Sequence, residues 1–239
     1  MNICDERGYL VAVTHSHTHD YLGCASKLAE TIKIFHPTAK TALVTDINIQ
    51  QAENFDYVTH FPYGDKKTSG GAFYNDWQVF YASPFRQTIK LEADMLIVSP
   101  IDHLWSLFQH RDVVISQGAT NFYNQITNAR HYRQLFDYNH LPDVYNAVTY
   151  WRLCPLAKQF FTYVQQIFEN WLEVKQVLKY CDEPASTDVV YAIAAMLCGV
   201  DTVTLPINIS PKITHMKRHI CGTSGEKWTE ELVLSLIHI

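Results

Sequence analysis

Lys90-Leu91-Glu92-Ala93-Asp94-Met95-Leu96-Ile97 sets two carboxylates, one residue apart, inside an otherwise apolar run. Ile89 and Leu91 precede the pair, residues 95–98 follow it, and Ser99-Pro100 ends the run, so the pattern predicts a strand buried on both faces. In an extended chain residues two apart share a face, so Glu92 and Asp94 would point the same way about 6.6 Å apart, at a rise of ~3.3 Å per residue. Two like charges buried there need a counter-ion, and a divalent cation carrying an anionic substrate supplies one. A plainer reading makes one carboxylate the cap of the next turn and pairs the other with Lys90 or Arg86.

Outward from that run, strands and helices alternate. Residues 9–14 read as a first buried strand and 21–35 as a helix with Leu22, Ala25, Leu28, Ala29 and Ile32 on one face, closed by Pro37. Residues 41–45 and 57–60 are the next strands, which gives a βαβ rhythm. Gly70-Gly71 marks a loop, and 75–83 reads as a helix whose Trp77, Phe80 and Tyr81, with Phe85 beyond it, belong to a core. A short helix at 101–108 and a strand at 112–116 follow the acidic run. Residues 117–142 carry little periodicity and predict a long excursion, a kind of segment that commonly serves function. A strand resumes at 146–151, and Pro155 opens a helix that the pattern carries to about residue 180. Ser186-Thr187-Asp188 begins another, which runs to Cys198 and ends at Gly199, and strands are expected at 202–205 and 213–216. No repeat or linker divides the chain, so residues 1–239 are expected to form one domain, with 230–239 reading as a tail foreign to it.

Composition narrows the partners. The chain is 47% hydrophobic and 18% charged, with a net charge of −5, and no basic run exceeds the pairs Lys66-Lys67 and Lys217-Arg218. That excludes the electrostatic footprint of a duplex nucleic-acid binder. The polar start Met1-Asn2-Ile3-Cys4-Asp5-Glu6-Arg7 lacks a signal-peptide pattern, no apolar run reaches spanning length, and a cytoplasmic location is expected. Six scattered cysteines without a CxxC pair read as buried thiols rather than a disulfide framework or a zinc ribbon.

Residues 83–97 (SPFRQTIKLEADMLI), followed by Ile101-Asp102-His103-Leu104-Trp105, resemble the signature region of GT-A glycosyltransferases, most of all the glycogenin-like family 8 group. Val11-Ala12-Val13-Thr14 through Tyr21-Leu22-Gly23-Cys24-Ala25-Ser26 is similar to that group's first strand and helix. Asn146-Ala147-Val148 resembles its N-[SA]-G-V strand, and Gly225-Glu226-Lys227-Trp228 its late K-P-W-like element. The resemblance implies an α/β fold of GT-A (Rossmann-like) type, a mixed, mostly parallel sheet with helices on both faces and a donor site at the strand ends. It further implies metal-dependent transfer of a sugar from a nucleotide-sugar, a UDP-sugar in this group, to a saccharide, protein or other hydroxyl acceptor with retention at the anomeric carbon.

Residue by residue, the resemblance implies that Asp94, Glu92 and His215 hold Mn2+ or Mg2+, with His219 the competing late histidine on its H-x-x-G spacing. Thr14 and Tyr21 would line the uridine pocket, Glu92 would reach the ribose or the metal, and Asn146 would face the donor sugar. Asp188 would orient a sugar or acceptor hydroxyl, and Lys227 would neutralise the leaving diphosphate. The chain departs from the pattern at Glu92, which stands for an aspartate, at Val148, which follows Ala147 where a glycine is expected, and at Asp76, which falls near a family lysine and reverses its charge.

His15-Ser16-His17-Thr18-His19-Asp20 alternates imidazoles after a strand, a spacing able to bind zinc and similar to the H-x-H-x-D-H of metallo-β-lactamase-type hydrolases with the last two residues exchanged. A zinc-dependent hydrolase built on these histidines, or a catalytically inactive nucleotide-sugar-binding protein, is the alternative to a transferase. A solvated turn over the nucleotide pocket accounts for the same residues without chemistry.

Overall fold

The computed structural model describes residues 3–64, 73–121, 133–180 and 185–215, with the backbone alone at Asn121, Arg133 and His215. In chain order the elements are β1 (Asp5–Val13), α1 (Tyr21–Phe35), β2 (Thr41–Thr45), β3 (Tyr57–His60), a 3-10 turn (Asp76–Gln78) running into α2 (Val79–Ala82), β4 (Phe85–Leu91), α3 (His103–Phe108), β5 (Val113–Gln117), β6 (Thr120–Asn121), α4 (Arg133–Tyr138), β7 (Val144–Arg152), α5 (Pro155–Glu169), α6 (Trp171–Val177), α7 (Thr187–Cys198), α8 (Val200–Val203), a second 3-10 turn (Ile207–Ile209) and β8 (Thr214–His215).

Six strands form one sheet in the order β3-β2-β1-β4-β7-β5. The first four are parallel, and β7 runs antiparallel to both of its neighbours. Alternation along each strand divides the core. Tyr9, Val11, Val13, Leu43, Ile89 and Leu91 turn toward Ala25, Leu28 and Ile32 of α1 and Trp105 and Phe108 of α3. Leu10, Val44, Val113 and Ile115 turn the other way, toward Phe160, Phe161 and Val164 of α5 and Val190 and Tyr191 of α7. The sheet is thus mixed and mostly parallel with helices on both faces, as the resemblance implies. Trp77, Phe80 and Phe85 are buried in the second cluster, as expected of core aromatics.

Four local expectations are corrected. β4 ends at Leu91 instead of running through residue 98: the Glu92 N–H still reaches Ala147 O (3.2 Å), and then Met95 N–H closes a turn onto Glu92 O (3.3 Å). Only Ile97 of the following apolar run is buried, its N–H bonded to Thr31 Oγ1 (3.1 Å), while Leu96 and Val98 are exposed. An apolar run that crosses a helix as a loop reads in sequence like a strand interior. The helix expected from Pro155 to about residue 180 is two, because Asn170 leaves helical geometry (φ −111°) and its Nδ2 donates to Gln166 O at 2.7 Å, a local bond that competes with the helical ladder. Residues 202–205 are no strand: α8 occupies the start, and Thr204 alone bridges Ile115. Finally, Cys4 and Cys24 are exposed, contrary to the buried-thiol reading, while burial pushes the Cys198 thiol up to about 11. Residues 65–72 and 122–132, Cys181, Cys221, His219 and Lys227 lie outside the described residues.

Two clamps fix the loops that lead to the sheet edge. His36, buried at the C-terminus of α1, holds Asp102 through Nδ1 (3.0 Å) and accepts the Ile101 N–H at Nε2 (3.0 Å). The acceptor role at Nε2 assigns the proton to Nδ1. Asp56, just before β3, accepts from the Thr41 N–H (2.9 Å), Thr41 Oγ1 (3.0 Å) and Lys33 Nζ (2.7 Å). Burial alone would raise the Asp56 carboxyl, but the bonds from Lys33 and Thr41 outweigh it and hold the pKa at about 2, below the ordinary 3.8. A depressed folded-state pKa adds stability above the unfolded value and loses it as pH falls through the folded one. Asp56→Asn should therefore lower stability at neutral pH by roughly 1 kcal/mol, water screening part of the full shift. In urea titrations at stepped pH, the gap to the unaltered protein should close as pH falls from 3.8 toward 2.

Candidate functional site

The site lies where β1 and β4 end. In a parallel sheet those C-terminal ends, with the loops after them, form the edge at which ligands bind. At β1 the chain leaves through Thr14 into the histidine loop and enters α1 at Tyr21. Asp20 starts that helix by accepting the Gly23 N–H (2.9 Å), an N-cap that fixes where the loop stops. Loop and first turn, with Ile47 beyond β2, enclose a cavity of about 420 Å³ lined by Thr14, His15, His17, His19 and Tyr21 among others. Thr14 and Tyr21 are thus brought together, as the sequence reading requires.

Within that loop the imidazoles are occupied with one another and with neighbours. His15 and His17 meet edge to face with ring centroids 4.7 Å apart. His19 stacks on Tyr21 at 5.5 Å, and its Nδ1 lies 2.7 Å from Thr18 Oγ1. The His15 N–H donates to Asp46 Oδ1 (2.7 Å), which ties the loop to the end of β2. Among the described residues no three His, Cys, Asp or Glu side chains gather as a metal site, and all three histidines are described, so the zinc-hydrolase arrangement is not formed.

The acidic pair occupies the turn after β4. Glu92 is half-buried, Asp94 is exposed and Ala93 between them is buried, and because the Met95 N–H closes a turn onto Glu92 O the pair is not in the extended chain that the spacing argument assumed. Lys90 pairs with Asp76 and Arg86 with Glu6. Neither Glu92 nor Asp94 lines the Thr14–Tyr21 cavity. For His215 only the backbone is described, as the end of β8, which pairs with β6 in a separate two-stranded sheet.

Asn146 and Asp188, named separately from the sequence, meet. Because β7 runs against β4, its first residues lie beside the end of β4, with Leu91 opposite Val148. The Asn146 N–H donates to Asp188 Oδ1 (2.8 Å), and Asn146 Oδ1 accepts from Thr149 Oγ1 (2.6 Å). Asp188 sits in the first turn of α7, 5% exposed, where the helix dipole favours a carboxylate.

A buried ion pair beneath them escaped the sequence reading. Asp76 Oδ1 lies 2.5 Å from Lys90 Nζ, with side chains 9% and 5% exposed, and Asp76 Oδ2 accepts from the Tyr191 hydroxyl. Lys90 Nζ also stands 5.5 Å over the Tyr191 ring. Burial first, and then the Asp76 charge, push the Tyr191 phenol well above its ordinary value, with Glu92 adding to the rise and the Asn146 side chain opposing it. The available signal was the period of β4: Thr88 and Lys90 face the side opposite Ile89 and Leu91, so a charge there needs a partner from the helices on that face.

No protein-family model matches this sequence, and no curated protein matches it. Solved structures do. Mouse xyloside xylosyltransferase 1 superposes with a TM-score of 0.50 at 12% identity over 84% of each chain. The galactosyltransferase LgtC, solved with donor and acceptor sugar analogues, gives 0.49 at 11% identity over 84% of this chain and 73% of its own. GlyE of Streptococcus pneumoniae TIGR4 gives 0.47 at 9% identity over 84% and 45%. The chain has the GT-A fold of glycosyltransferases.

Removing one member of a buried ion pair strands the other, at a cost of about 3–5 kcal/mol, whereas replacing both is close to neutral. Lys90→Met should therefore destabilise the protein far more than the double variant Asp76→Asn/Lys90→Met, as read from urea midpoints.

Proposed function

We propose that this protein is a glycosyltransferase that moves a sugar from a nucleotide-sugar, a UDP-sugar in the first instance, onto a hydroxyl acceptor with retention at the anomeric carbon. The observation that carries the reading is the common location of three features on a GT-A sheet edge: the Thr14–Tyr21 cavity, the Glu92–Asp94 turn and the bonded pair Asn146–Asp188. A substrate divided into base, diphosphate and sugar would use all three.

In this reading Tyr21 and Thr14 hold the base in the cavity, whose size suits a nucleoside. Carboxylate oxygens on an accessible turn are the donor chemistry of a hard divalent ion, so Glu92 and Asp94, with His215 as third ligand, fit Mn2+ or Mg2+. A bound divalent ion would supply neutralisation of the charge that develops on the leaving diphosphate. Lys227 would add a second positive charge there. Asp188, oriented by the Asn146 N–H, accepts a hydrogen bond from a sugar or acceptor hydroxyl and so fixes its direction. Residues 117–142 would select the acceptor. Among the described residues no helix is long and apolar enough to cross a membrane.

Thermal unfolding with UDP, GDP and CMP, each with and without Mn2+, tests this directly. UDP with Mn2+ should raise the melting temperature, ligand at a hundred times its dissociation constant adding about 2.7 kcal/mol. Asp94→Asn should lose the Mn2+-dependent part of that rise together with Mn2+-dependent hydrolysis of UDP-sugars, and His215→Ala should do the same while His219→Ala does not. Nucleotide binding without turnover of any sugar donor would make the protein a binder, and no response to any nucleotide would overturn the proposal.

A further inference from the structure

The buried pair Asp76–Lys90 is an unusual thing for this sheet to keep. Lys90 stands in the middle strand of the fold, between Leu10 of β1 and Thr149 of β7, with its side chain 5% exposed. Buried ion pairs are weak stabilisers as a class, because the desolvation of two charges offsets much or all of what their attraction returns. The pair therefore calls for a role other than stability, and its connections supply one.

Followed outward, the contacts close on themselves. Tyr191 donates its hydroxyl proton to Asp76 Oδ2, and Asp76 Oδ1 holds Lys90. Lys90 is paired across the sheet with Thr149, whose Oγ1 donates to Asn146 Oδ1 (2.6 Å). The Asn146 N–H donates to Asp188 Oδ1 (2.8 Å), and Asp188 returns to Tyr191 along α7, three residues on and so on the same helical face. The circuit passes through α7, β7, β4 and the 3-10 turn at Asp76, and every side chain in it is buried or nearly so. Two residues after Lys90, just past the end of its strand, comes Glu92, whose charge already reaches Tyr191.

We propose that Asp76, Lys90, Tyr191 and Thr149 are positioning residues, a closed buried circuit that holds the Asp188 carboxylate and the end of β4 at Glu92 in a fixed relation. None of them touches the reacting groups. Tyr191 pins the first turn of α7 to the Asp76 turn, Lys90 pins that turn to β4, and Thr149 sets the Asn146 side chain whose backbone N–H aims Asp188. The catalytic part of this inference rests on the transferase reading; the structural part does not.

Two isosteric substitutions on opposite arms of the circuit test it. Tyr191→Phe keeps the ring under the Lys90 ammonium and removes one hydroxyl, and Thr149→Val removes the hydroxyl that sets Asn146. Amide hydrogen exchange, followed by NMR, should show the Asn146 N–H exchanging about tenfold faster in each variant, while the Val11 and Leu43 amides in β1 and β2 keep their protection. In UDP-sugar hydrolysis each variant should lose about tenfold or more in kcat with a smaller change in KM, since the base contacts assigned to Thr14 and Tyr21 lie outside the circuit. Unchanged exchange at Asn146 in either variant, or a uniform increase across the sheet, overturns the proposal. If one variant fails to fold, the other gives the same readout. Absence of donor hydrolysis in the unaltered protein would count against the transferase alone, and the exchange measurement would still decide the circuit.

Discussion

β7 runs against β4, and this reversal arranges the rest of the site. Four parallel strands deliver their C-terminal ends to one edge, but a fifth parallel strand would bring only another end of the same kind. An antiparallel neighbour brings its beginning instead. With Leu91 registered on Val148, the first residues of β7 lie beside the turn that carries Glu92 and Asp94, and the Glu92 N–H extends the ladder by one bond to Ala147 O. Asn146 follows from that register. So does the docking of α7, because the Asn146 N–H needs an acceptor and Asp188, in the first helical turn, is the one it finds.

Elements with chemical punctuation at both ends were legible in the sequence. α1 is bounded as read because Asp20 caps it and His36-Pro37 stops it, and α7 because Gly199, at φ +89°, takes a backbone conformation that suits glycine. The strands β2 and β3 are short, carry apolar and β-branched residues, and are flanked by turn residues. What failed lacked punctuation or carried a misleading kind. Residues 95–98 are apolar because one of them plugs a gap over α1, not because they pair. The break at Asn170 depends on a side chain choosing the backbone of its own helix, which periodicity cannot register.

The site was legible in its parts and not in its couplings. Thr14 with Tyr21, and Asn146 with Asp188, were named from resemblance and stand together in space. The same-face geometry expected of Glu92 and Asp94 assumed an extended chain that the turn at Met95 interrupts. Asp76 illustrates the deeper difficulty. By position it is a family lysine turned into an acid, a reversal that reads as damage to the site. In space the positive charge stands 2.5 Å away on Lys90, carried by the neighbouring strand. Side by side the two charges cancel, so the position holds a neutral buried pair rather than an uncompensated acid, which a comparison by position alone does not register.

Electrostatics also changes the argument for a cation. Spacing suggested a metal because two carboxylates in a buried strand could not be tolerated, and that premise goes once Asp94 is on an exposed turn. A stronger one replaces it. Among the described residues around the end of β4 stand Asp76, Glu92, Asp94 and Asp188, with Lys90 bound to Asp76. A nucleotide diphosphate, under the proposed reading, would bring further negative charge to this edge, and carboxylate oxygens on an accessible turn are the ligands a hard divalent ion prefers. Under the proposed reading, transfer from such a donor calls for added positive charge at the leaving group. On that reading Glu92 and Asp94 would recruit it as a hard divalent ion, and Lys227 would supply it from the chain itself.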